Sequence, residues 1–210
     1  MKVVPVIIRC LGLVDWNDIY IKMNHFTNIR NQFSLDEIWF VEHYPIFTQG
    51  YVESNIQIKN INMIPLMKSN RGGKITYHGP GQQIIYFLLN LIRLKITVKK
   101  LLCIMENIIL STLYDFSILG VNNDKYPGIY VNNQKICSLG LKIKNNYCFH
   151  GLALNVNMNL NPFKYIQPCG NNIIMTQMSN IKKDILFYNV RDILVQKCLF
   201  FFNLKNFLYS

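Results

Sequence analysis

Hydrophobic residues recur along the chain with two periods, one typical of strands and the other typical of helices. The β-branched segment 3–10 predicts a strand. Asp15 is suited to cap a helix over 16–30, because its carboxylate can accept hydrogen bonds from the first free backbone amides. The residues on the apolar face of that helix are Ile19, Met23 and Phe26.

The clearest helical pattern covers 98–116, with Thr97 as its predicted cap. Its predicted core positions are Leu101, Leu102, Met105, Ile108 and Ile109. A last helix is predicted over 190–202. The other predicted strands are 37–43, 64–67, 75–78, 84–89, 128–131, 135–144 and 147–156. The segments 47–50 and 159–163 are predicted loops, and Asn145-Asn146 is predicted to form a tight hairpin turn.

The order of these elements indicates the fold class. Strands and helices mix without strict alternation, so we predict an α+β fold in which helices pack on a mixed, largely antiparallel sheet. No linker-like composition and no internal repeat divides the chain, so residues 1–210 are predicted to form a single domain. Half of the residues are hydrophobic and 13% are aromatic, which excludes a disordered chain.

The stretch RGGKITYHGPGQQIIYFLLN, residues 71–90, joins two glycine-rich turns to two strands. The continuous apolar run 84–89 is typical of a strand buried on both faces. Glycines at both turns let the backbone approach a ligand closely, while Arg71, Tyr77 and His78 can supply hydrogen bonds there. Taken one at a time, the same residues also fit ordinary hairpin turns with a structural histidine.

The charge of the chain is the next constraint. The formal net charge is +11, which favours an acidic partner such as nucleic acid, an anionic membrane surface or an acidic protein. The basic residues are scattered or paired, as in Lys99-Lys100 and Lys182-Lys183, so a solvated surface explains most of them. No stretch is long enough to span a bilayer and no cleavable leader is evident, so we predict a cytoplasmic protein without membrane insertion.

Cys169 is the candidate nucleophile among six cysteines. None of the six belongs to a Cys-x-x-Cys pair, so no metal site is predicted. The sequence Pro168-Cys169-Gly170 predicts a constrained turn that can hold a thiol at the edge of a cleft. A reactive thiol needs a nearby cation, because an unperturbed cysteine has a pKa of roughly 8.5. Without one, Cys169 would be an inert turn residue.

Lys135 is the candidate cation. In a regular strand Lys135, Cys137 and Leu139 share one face, so the lysine is predicted to point inward; the alternative is a surface lysine at a strand start. Cys137 is a rival thiol, but its pattern indicates a core residue. In the next strand Gly151 and Ala153 leave one face open, either for a ligand channel or for close helix packing.

Together these segments resemble the lipoyl(octanoyl) transferase family. The resemblance extends over most of the chain, in a fixed order of specific strings. Those strings are 36–39, 43–45, 47–50, 71–82, 127–130, 135–141, 150–156 and 162–170. One departure is Asn171, where family members often carry an aromatic residue after Pro-Cys-Gly.

The resemblance implies transfer of an octanoyl group from the phosphopantetheine thioester of acyl carrier protein to a lysine of lipoyl domains. Those acceptors are the E2 subunits of 2-oxoacid dehydrogenases and the glycine-cleavage H protein. It also implies the fold of the biotin and lipoate protein ligase catalytic domains. Cys169 would carry the acyl thioester, and Lys135 would hold the thiolate and then act as base. No ATP, metal or other cofactor is expected.

The same resemblance assigns an acyl pocket. Its expected lining is Arg71, Gly72, Gly73, Lys74, Ile75, Thr76, Tyr77, His78, Ser138, Leu139, Gly140, Gly151, Leu152 and Ala153. Three alternatives stay open. A lipoate-protein ligase would need ATP but not the thiol, and a nucleic-acid-binding domain would need its basic residues clustered on one face. A relative that has lost activity would keep the fold alone.

Overall fold

The computed structural model describes residues 5–52, 59–123, 126–166, 173–204 and 207–209. The strands are β1 (Val6–Val14), β2 (Asp36–His43), β3 (Ile46–Gln49), β4 (Asn60–Ile61), β5 (Ile64–Lys68), β6 (Thr76–His78), β7 (Gln82–Leu88), β8 (Val121–Asn122), β9 (Gly128–Val131), β10 (Gln134–Lys144), β11 (Tyr147–Asn155) and β12 (Phe207–Tyr209). The helices are α1 (Trp16–Ile29), α2 (Leu91–Leu94), α3 (Val98–Asp115), α4 (Met178–Ile181) and α5 (Phe187–Phe201), with a 3-10 helix at Asn161–Tyr165.

Eight strands form the large sheet, in the order β12-β1-β2-β7-β11-β10-β9-β8. Strand β1 runs parallel to β12 and β2, and every other neighbouring pair is antiparallel. A small sheet has the order β4-β5-β3-β6. The predicted α+β class with a mixed, largely antiparallel sheet is therefore confirmed.

Strand β7 lies between two hydrophobic layers, because its side chains alternate between the faces of the large sheet. Ile85 and Phe87 join the core formed with α3 and α5. Ile84 and Tyr86 join a second core formed with α1. Every residue of β7 is buried, which confirms the prediction from its continuous apolar run.

The predicted helix caps and hairpin turn are confirmed. The Asp15 side chain accepts from the backbone amides of Asn17 and Asp18 at the start of α1, and Thr97 accepts from that of Lys100 at the start of α3. The hairpin residues Asn145 and Asn146 both have left-handed backbones, with φ of 49° and 64°. This geometry matches the twist of the flanking strands β10 and β11.

Two predicted loops are wrong. Segment 47–50 belongs mostly to β3, which pairs in parallel with β5 and antiparallel with β6. Because both edges of β3 are hydrogen-bonded, the polar residues Thr48 and Gln49 can be buried in a strand. Segment 159–163 enters the 3-10 helix, with Pro162 in its first turn, where a missing amide hydrogen costs nothing. Among the described helices, none combines the length and apolar character that crossing a membrane requires.

Candidate active site

A cavity of about 600 Å³ lies between the large sheet and the loop that precedes β6. The loop crosses the sheet closely: the Gly72 amide donates to the Leu141 carbonyl at 3.0 Å, and a Cβ added to Gly140 would lie 3.3 Å from the Gly72 carbonyl oxygen. The glycines on both sides therefore keep a thin roof over the cavity.

The cavity gathers residues that are far apart in the sequence. Its lining includes thirteen of the residues assigned to the acyl pocket: Arg71, Gly72, Gly73, Lys74, Ile75, Thr76, His78, Ser138, Leu139, Gly140, Gly151, Leu152 and Ala153. Tyr77 is not in the lining. Its ring packs against Phe47 and Phe163 in a separate cluster, at centroid distances of 5.4 and 5.5 Å. Contact of these residues with substrate stays a prediction.

Lys135 reaches the same cavity although it is only 2% exposed. Its Nζ donates to the Pro127 carbonyl at 2.8 Å and lies 5.6 Å from the centroid of the Tyr130 ring. The side chain passes directly over Gly128, whose φ is +148°. Lys135 is thus positioned by the Pro127 carbonyl just before β9, and by the Tyr130 ring and the absence of a side chain at Gly128 within that strand.

Lys135 and Cys137 do not share a face, contrary to the prediction for a regular strand. A β-bulge between them pairs Lys135 with Tyr130 and Cys137 with Ile129, which are adjacent on β9 and therefore point to opposite sides. Cys137 is consequently in the hydrophobic core, as its pattern indicated. Burial raises the pKa of its thiol to about 12, which disfavours a thiolate there.

The backbone of Lys135 is bonded to the segment that follows the predicted nucleophile. Its amide donates to the Ile174 carbonyl at 2.8 Å, and its carbonyl accepts from the Thr176 amide at 2.8 Å. Cys169 and the turn predicted at Pro168-Cys169-Gly170 lie outside the described residues. The described chain resumes at Ile173, next to the lysine.

Arg71 fixes the roof of the cavity to β3. Its Nη1 donates to the carbonyls of Gly72 and Lys74 at 3.0 and 2.8 Å, and its Nη2 donates to the Thr48 carbonyl at 2.7 Å and the Thr48 hydroxyl at 2.9 Å. A guanidinium suits this task because its donors form a planar fork. Arg71 therefore supports the loop in addition to lining the cavity.

A chain of hydrogen bonds starts at Arg71 and passes through His78. Because Thr48 Oγ1 accepts from Arg71, its hydrogen is available to His78 Nε2 at 3.3 Å. The other ring nitrogen, Nδ1, then carries the proton and donates to Gln82 Oε1 at 2.7 Å. These contacts select one neutral tautomer of His78.

The same chain continues to the backbone of Lys135. Gln82 Nε2 donates to Asn155 Oδ1 at 2.9 Å, and Asn155 Nδ2 donates to the Thr176 carbonyl at 2.9 Å. The Thr176 amide in turn donates to the Lys135 carbonyl. We call this series, from Arg71 to Lys135, the polar chain.

Three histidines around the cavity are uncharged at neutral pH. Burial lowers the pKa of His78 to about 3, assisted by repulsion from His43 and Arg71. Burial likewise lowers the pKa of His150 to about 3 and that of His43 to about 4. These three imidazoles therefore act as neutral hydrogen-bonding groups.

Tyr86 is held by two neighbours at the same place. His43 Nδ1 lies 3.1 Å from the Val14 carbonyl and so carries the proton, which leaves Nε2 to accept from the Tyr86 hydroxyl at 2.8 Å. The Tyr86 ring also makes an edge contact with the His150 ring at 6.2 Å, and burial raises the pKa of the phenol. The hydroxyl thus stays protonated and fully engaged.

Several lining residues were not assigned to the site from the sequence. They are Trp16, Ser69, Ile84, Tyr86, Val98, Leu102, Tyr126, Pro127, Leu141 and His150. Leu102, a predicted core position of α3, lines the cavity instead. His150 has a left-handed backbone, with φ of 63°, and its Nε2 donates to Asn70 Oδ1 at 2.6 Å. The sequence signal that could have assigned His150 to the cavity was its position as a polar residue next to Gly151.

The arrangement suits a hydrocarbon chain attached to a reactive carbonyl. Aliphatic side chains such as Leu139 and Leu152 provide apolar walls, and the described lining contains three cations, Arg71, Lys74 and Lys135, without a carboxylate. An apolar channel with few convergent polar groups is typical of small-molecule sites. The cations favour a substrate or transition state that carries negative charge.

Comparisons with known proteins identify the family of this chain. The family model of the lipoyl protein ligase A/B catalytic domain matches residues 21–199. The chain is 52% identical over 201 residues to an octanoyltransferase of Buchnera aphidicola subsp. Acyrthosiphon pisum, covering 94% of each chain. It is 43% identical over 205 residues to an octanoyltransferase of Escherichia coli (strain SMS-3-5 / SECEC), covering 97% of this chain and 96% of the relative.

Solved structures show the same fold at low sequence identity. A lipoate-protein ligase A bound with ATP aligns with a TM-score of 0.80 at 12% identity, covering 98% of this chain and 88% of that one. A biotin protein ligase from Aquifex aeolicus in complex with biotin and ATP aligns with a TM-score of 0.58 at 12% identity, covering 97% and 71%. The fold implied by the sequence resemblance is confirmed.

Proposed function

Because this chain belongs to the lipoyl protein ligase A/B catalytic-domain family and transfers octanoyl groups in protein lipoylation, we propose that it does so through a thioester on Cys169. The observation that supports this most is the position of Lys135. It is buried at the cavity and bonded through its backbone to Ile174. Ile174 is five positions after Cys169, a distance of at most about 18 Å along the chain.

In the first step, the Cys169 thiolate attacks the thioester carbonyl carbon of octanoyl-acyl carrier protein. A new carbon–sulfur bond forms, and the bond to the phosphopantetheine sulfur breaks. The leaving thiolate takes a proton from the Lys135 ammonium, so Lys135 becomes neutral as the acyl-enzyme forms. This exchange of one thioester for another is nearly balanced in free energy, so it needs no ATP.

In the second step, the acceptor lysine of a lipoyl domain attacks the acyl-enzyme as a free amine. A carbon–nitrogen bond forms, neutral Lys135 takes the proton that the amine loses, and Cys169 leaves as thiolate. The starting ion pair is restored. Amide formation makes this step downhill, and no metal takes part in either step.

The proposed partners follow from the reaction and from the charge of the chain. Octanoyl transfer requires an acyl donor and a lipoyl-domain acceptor; we assign these as acyl carrier protein and the lipoyl domains of 2-oxoacid dehydrogenase E2 subunits and the glycine-cleavage H protein. A net charge of +11 suits acidic proteins. A free thiol nucleophile suits the cytoplasm, a reducing compartment.

Intact-mass spectrometry tests the proposal directly. The purified chain is incubated with octanoyl-acyl carrier protein without ATP, beside the variants Cys169→Ser and Cys10→Ser. Cys10 is exposed, so it is a fair control for nonspecific acylation. We expect one hydroxylamine-labile octanoyl adduct on the native chain and on Cys10→Ser, and none on Cys169→Ser.

Two outcomes would overturn the mechanism. An adduct that persists in Cys169→Ser would place the thioester elsewhere. Acceptor modification that occurs only with free octanoate and ATP would indicate a ligase mechanism, of the kind that the name of the ATP-bound structural neighbour describes.

A further inference from the structure

The cavity has a closed end and an open end. Trp16, Tyr86 and His150 line its closed end, where Trp16 and Tyr86 are only 3% and 5% exposed. Val98, which also lines the cavity, is 40% exposed and marks the open side. A chain that enters from the open side therefore runs toward Tyr86.

Sheet geometry gives the length of that path. Tyr86 on β7 lies opposite Gly151 on β11, and Gly151 lies opposite Gly140 on β10. Lys135 is five residues from Gly140 along the same strand. Usual strand spacing and rise place the Cα atoms of Tyr86 and Lys135 roughly 18 Å apart. Gly140 lies at the crossing, so no side chain of β10 stands between that strand and the roof of the cavity there.

The Tyr86 side chain is held in place at the closed end. Its hydroxyl is hydrogen-bonded to His43 at 2.8 Å, and its ring makes an edge contact with the His150 ring at 6.2 Å. Trp16 is itself stacked on Tyr20 at 4.6 Å. Moving Tyr86 would leave buried polar groups without partners, so it resists displacement by a ligand.

We propose that Tyr86 is the stop that sets the length of the transferred acyl chain. This inference rests on the proposed function, because it assumes that the acyl group occupies the cavity with its carbonyl toward Lys135. The terminal methyl of an octanoyl chain then meets the Tyr86 ring. A longer chain must either displace the Tyr86 ring from His43 and His150 or keep its last carbons outside the apolar walls.

Binding of free fatty acids tests the preference for chain length without any acyl-transfer chemistry. Octanoate, decanoate and dodecanoate are titrated into the Cys169→Ser chain, alone and combined with Tyr86→Val, Tyr86→Leu or Tyr86→Phe. We expect Tyr86→Val and Tyr86→Leu to shift the affinity ratio of dodecanoate to octanoate by about 10-fold or more toward the longer acid. Tyr86→Phe keeps the bulk of the ring and should keep the octanoate preference.

The same ratio is then read in the active enzyme. Octanoyl and dodecanoyl thioesters compete for Cys169 in one sample, and intact mass gives the ratio of the two adducts, which is independent of the fraction of folded protein. Circular dichroism checks folding of each variant, and Leu139→Ala, at a wall residue, should weaken both acids without changing their ratio.

An unchanged length ratio in folded Tyr86→Val and Tyr86→Leu would overturn the inference. So would a Tyr86→Phe chain that prefers dodecanoate as strongly as Tyr86→Val. If fatty acids bind with the expected ratios but no adduct forms on the native chain, the thioester proposal fails while the length stop stands. The two failures are therefore distinguishable.

Discussion

The side chain of Lys135 occupies the space that a side chain at Gly128 would need. A Cβ built on Gly128 would lie 2.3 Å from Lys135 Cε and 2.6 Å from the Cys137 carbonyl oxygen. Real Cβ atoms do not approach other atoms so closely, so residue 128 must be glycine if Lys135 is to keep its position. The position of Lys135 on β10 thus depends on the absence of a side chain at residue 128 on the neighbouring strand β9.

Replacing Gly128 with alanine should therefore displace Lys135. We expect Gly128→Ala to lower the rate of octanoyl adduct formation at least about 10-fold, since small misplacements of reacting groups are costly. Gly12→Ala is the matched control: Gly12 also has a left-handed backbone, with φ of +66°, but nothing lies within 4 Å of its added Cβ. Equal rates for both variants would contradict the steric role of Gly128.

Removing the charge of Lys135 should change the pH dependence of Cys169. In Lys135→Met the aliphatic stem is kept, so we expect the rate of Cys169 alkylation by iodoacetamide to rise only near pH 8.5, about the pKa of an unperturbed thiol. The native chain should already react at neutral pH. Lys144→Met is the control, since Lys144 is an exposed lysine on the same strand. Identical pH profiles for native and Lys135→Met chains would exclude the ion pair.

The three buried histidines should make the fold sensitive to acid. Their pKa values in the folded chain, about 4 for His43 and about 3 for His78 and His150, lie below the ordinary 6.5. The unfolded chain therefore binds more protons below pH 6.5, so the free energy of unfolding falls as the pH drops from 6.5 toward 3 and is insensitive to these groups above it.

Urea denaturation at pH 7.5 and pH 5 measures this effect. His78→Gln should reduce the loss of stability between the two pH values by about 1–2 kcal/mol. The control is His25→Gln, at an exposed position, which should leave the loss unchanged. A His78→Gln chain as acid-sensitive as the native one would contradict a neutral buried His78.

Asp36 should be far more important for stability than a surface carboxylate. Asp36 is buried and forms an ion pair with Arg30. Its Oδ1 also lies 3.3 Å from Arg93 Nη1 and accepts a hydrogen bond from the Asn90 backbone amide at 2.8 Å. Asp36→Asn leaves a buried guanidinium uncompensated, which typically costs about 3–5 kcal/mol. Asp192→Asn breaks an exposed pair with Arg191 and should cost at most about 1 kcal/mol in the same denaturant titration.

Donor docking should weaken as salt is added. If the positive charge attracts acyl carrier protein, the KM for octanoyl-acyl carrier protein should rise between about 50 and 500 mM salt, where the Debye length becomes short. A small thioester donor such as octanoyl-pantetheine is the control, because it lacks the protein surface. A KM for the protein donor that stays flat over this range would exclude charge steering.

Much of the fold could be predicted because the decisive signals are local. The cap residues Asp15 and Thr97 and the Asn145-Asn146 turn each act within four residues, and the apolar run of β7 identifies a central strand by itself. Strand β3 escaped prediction because Thr48 and Gln49 are polar, and their burial depends on partners on both edges.

The site was predictable only in part, for the same reason. The glycines at 72 and 73 indicated close backbone approach, and the loop does cross β10 there. The bulge beside Lys135 could not be predicted, because it is defined by pairing with β9. The cavity lining brings together Trp16 and Tyr86, which are seventy positions apart in the sequence, and neither side chain carries a local signal for this.

The polar chain runs in one direction, and this has a dynamic consequence. Arg71 can only donate, so the amides of Gln82 and Asn155 cannot rotate by half a turn without placing two donors face to face. Release of one link leaves the next without a partner, which favours opening of the whole series as a unit. The side-chain amide hydrogens of Gln82 and Asn155 should then exchange with deuterium together with the Thr176 backbone amide. The loop that forms the roof of the cavity and the strand that carries Lys135 would then open and close in one concerted motion.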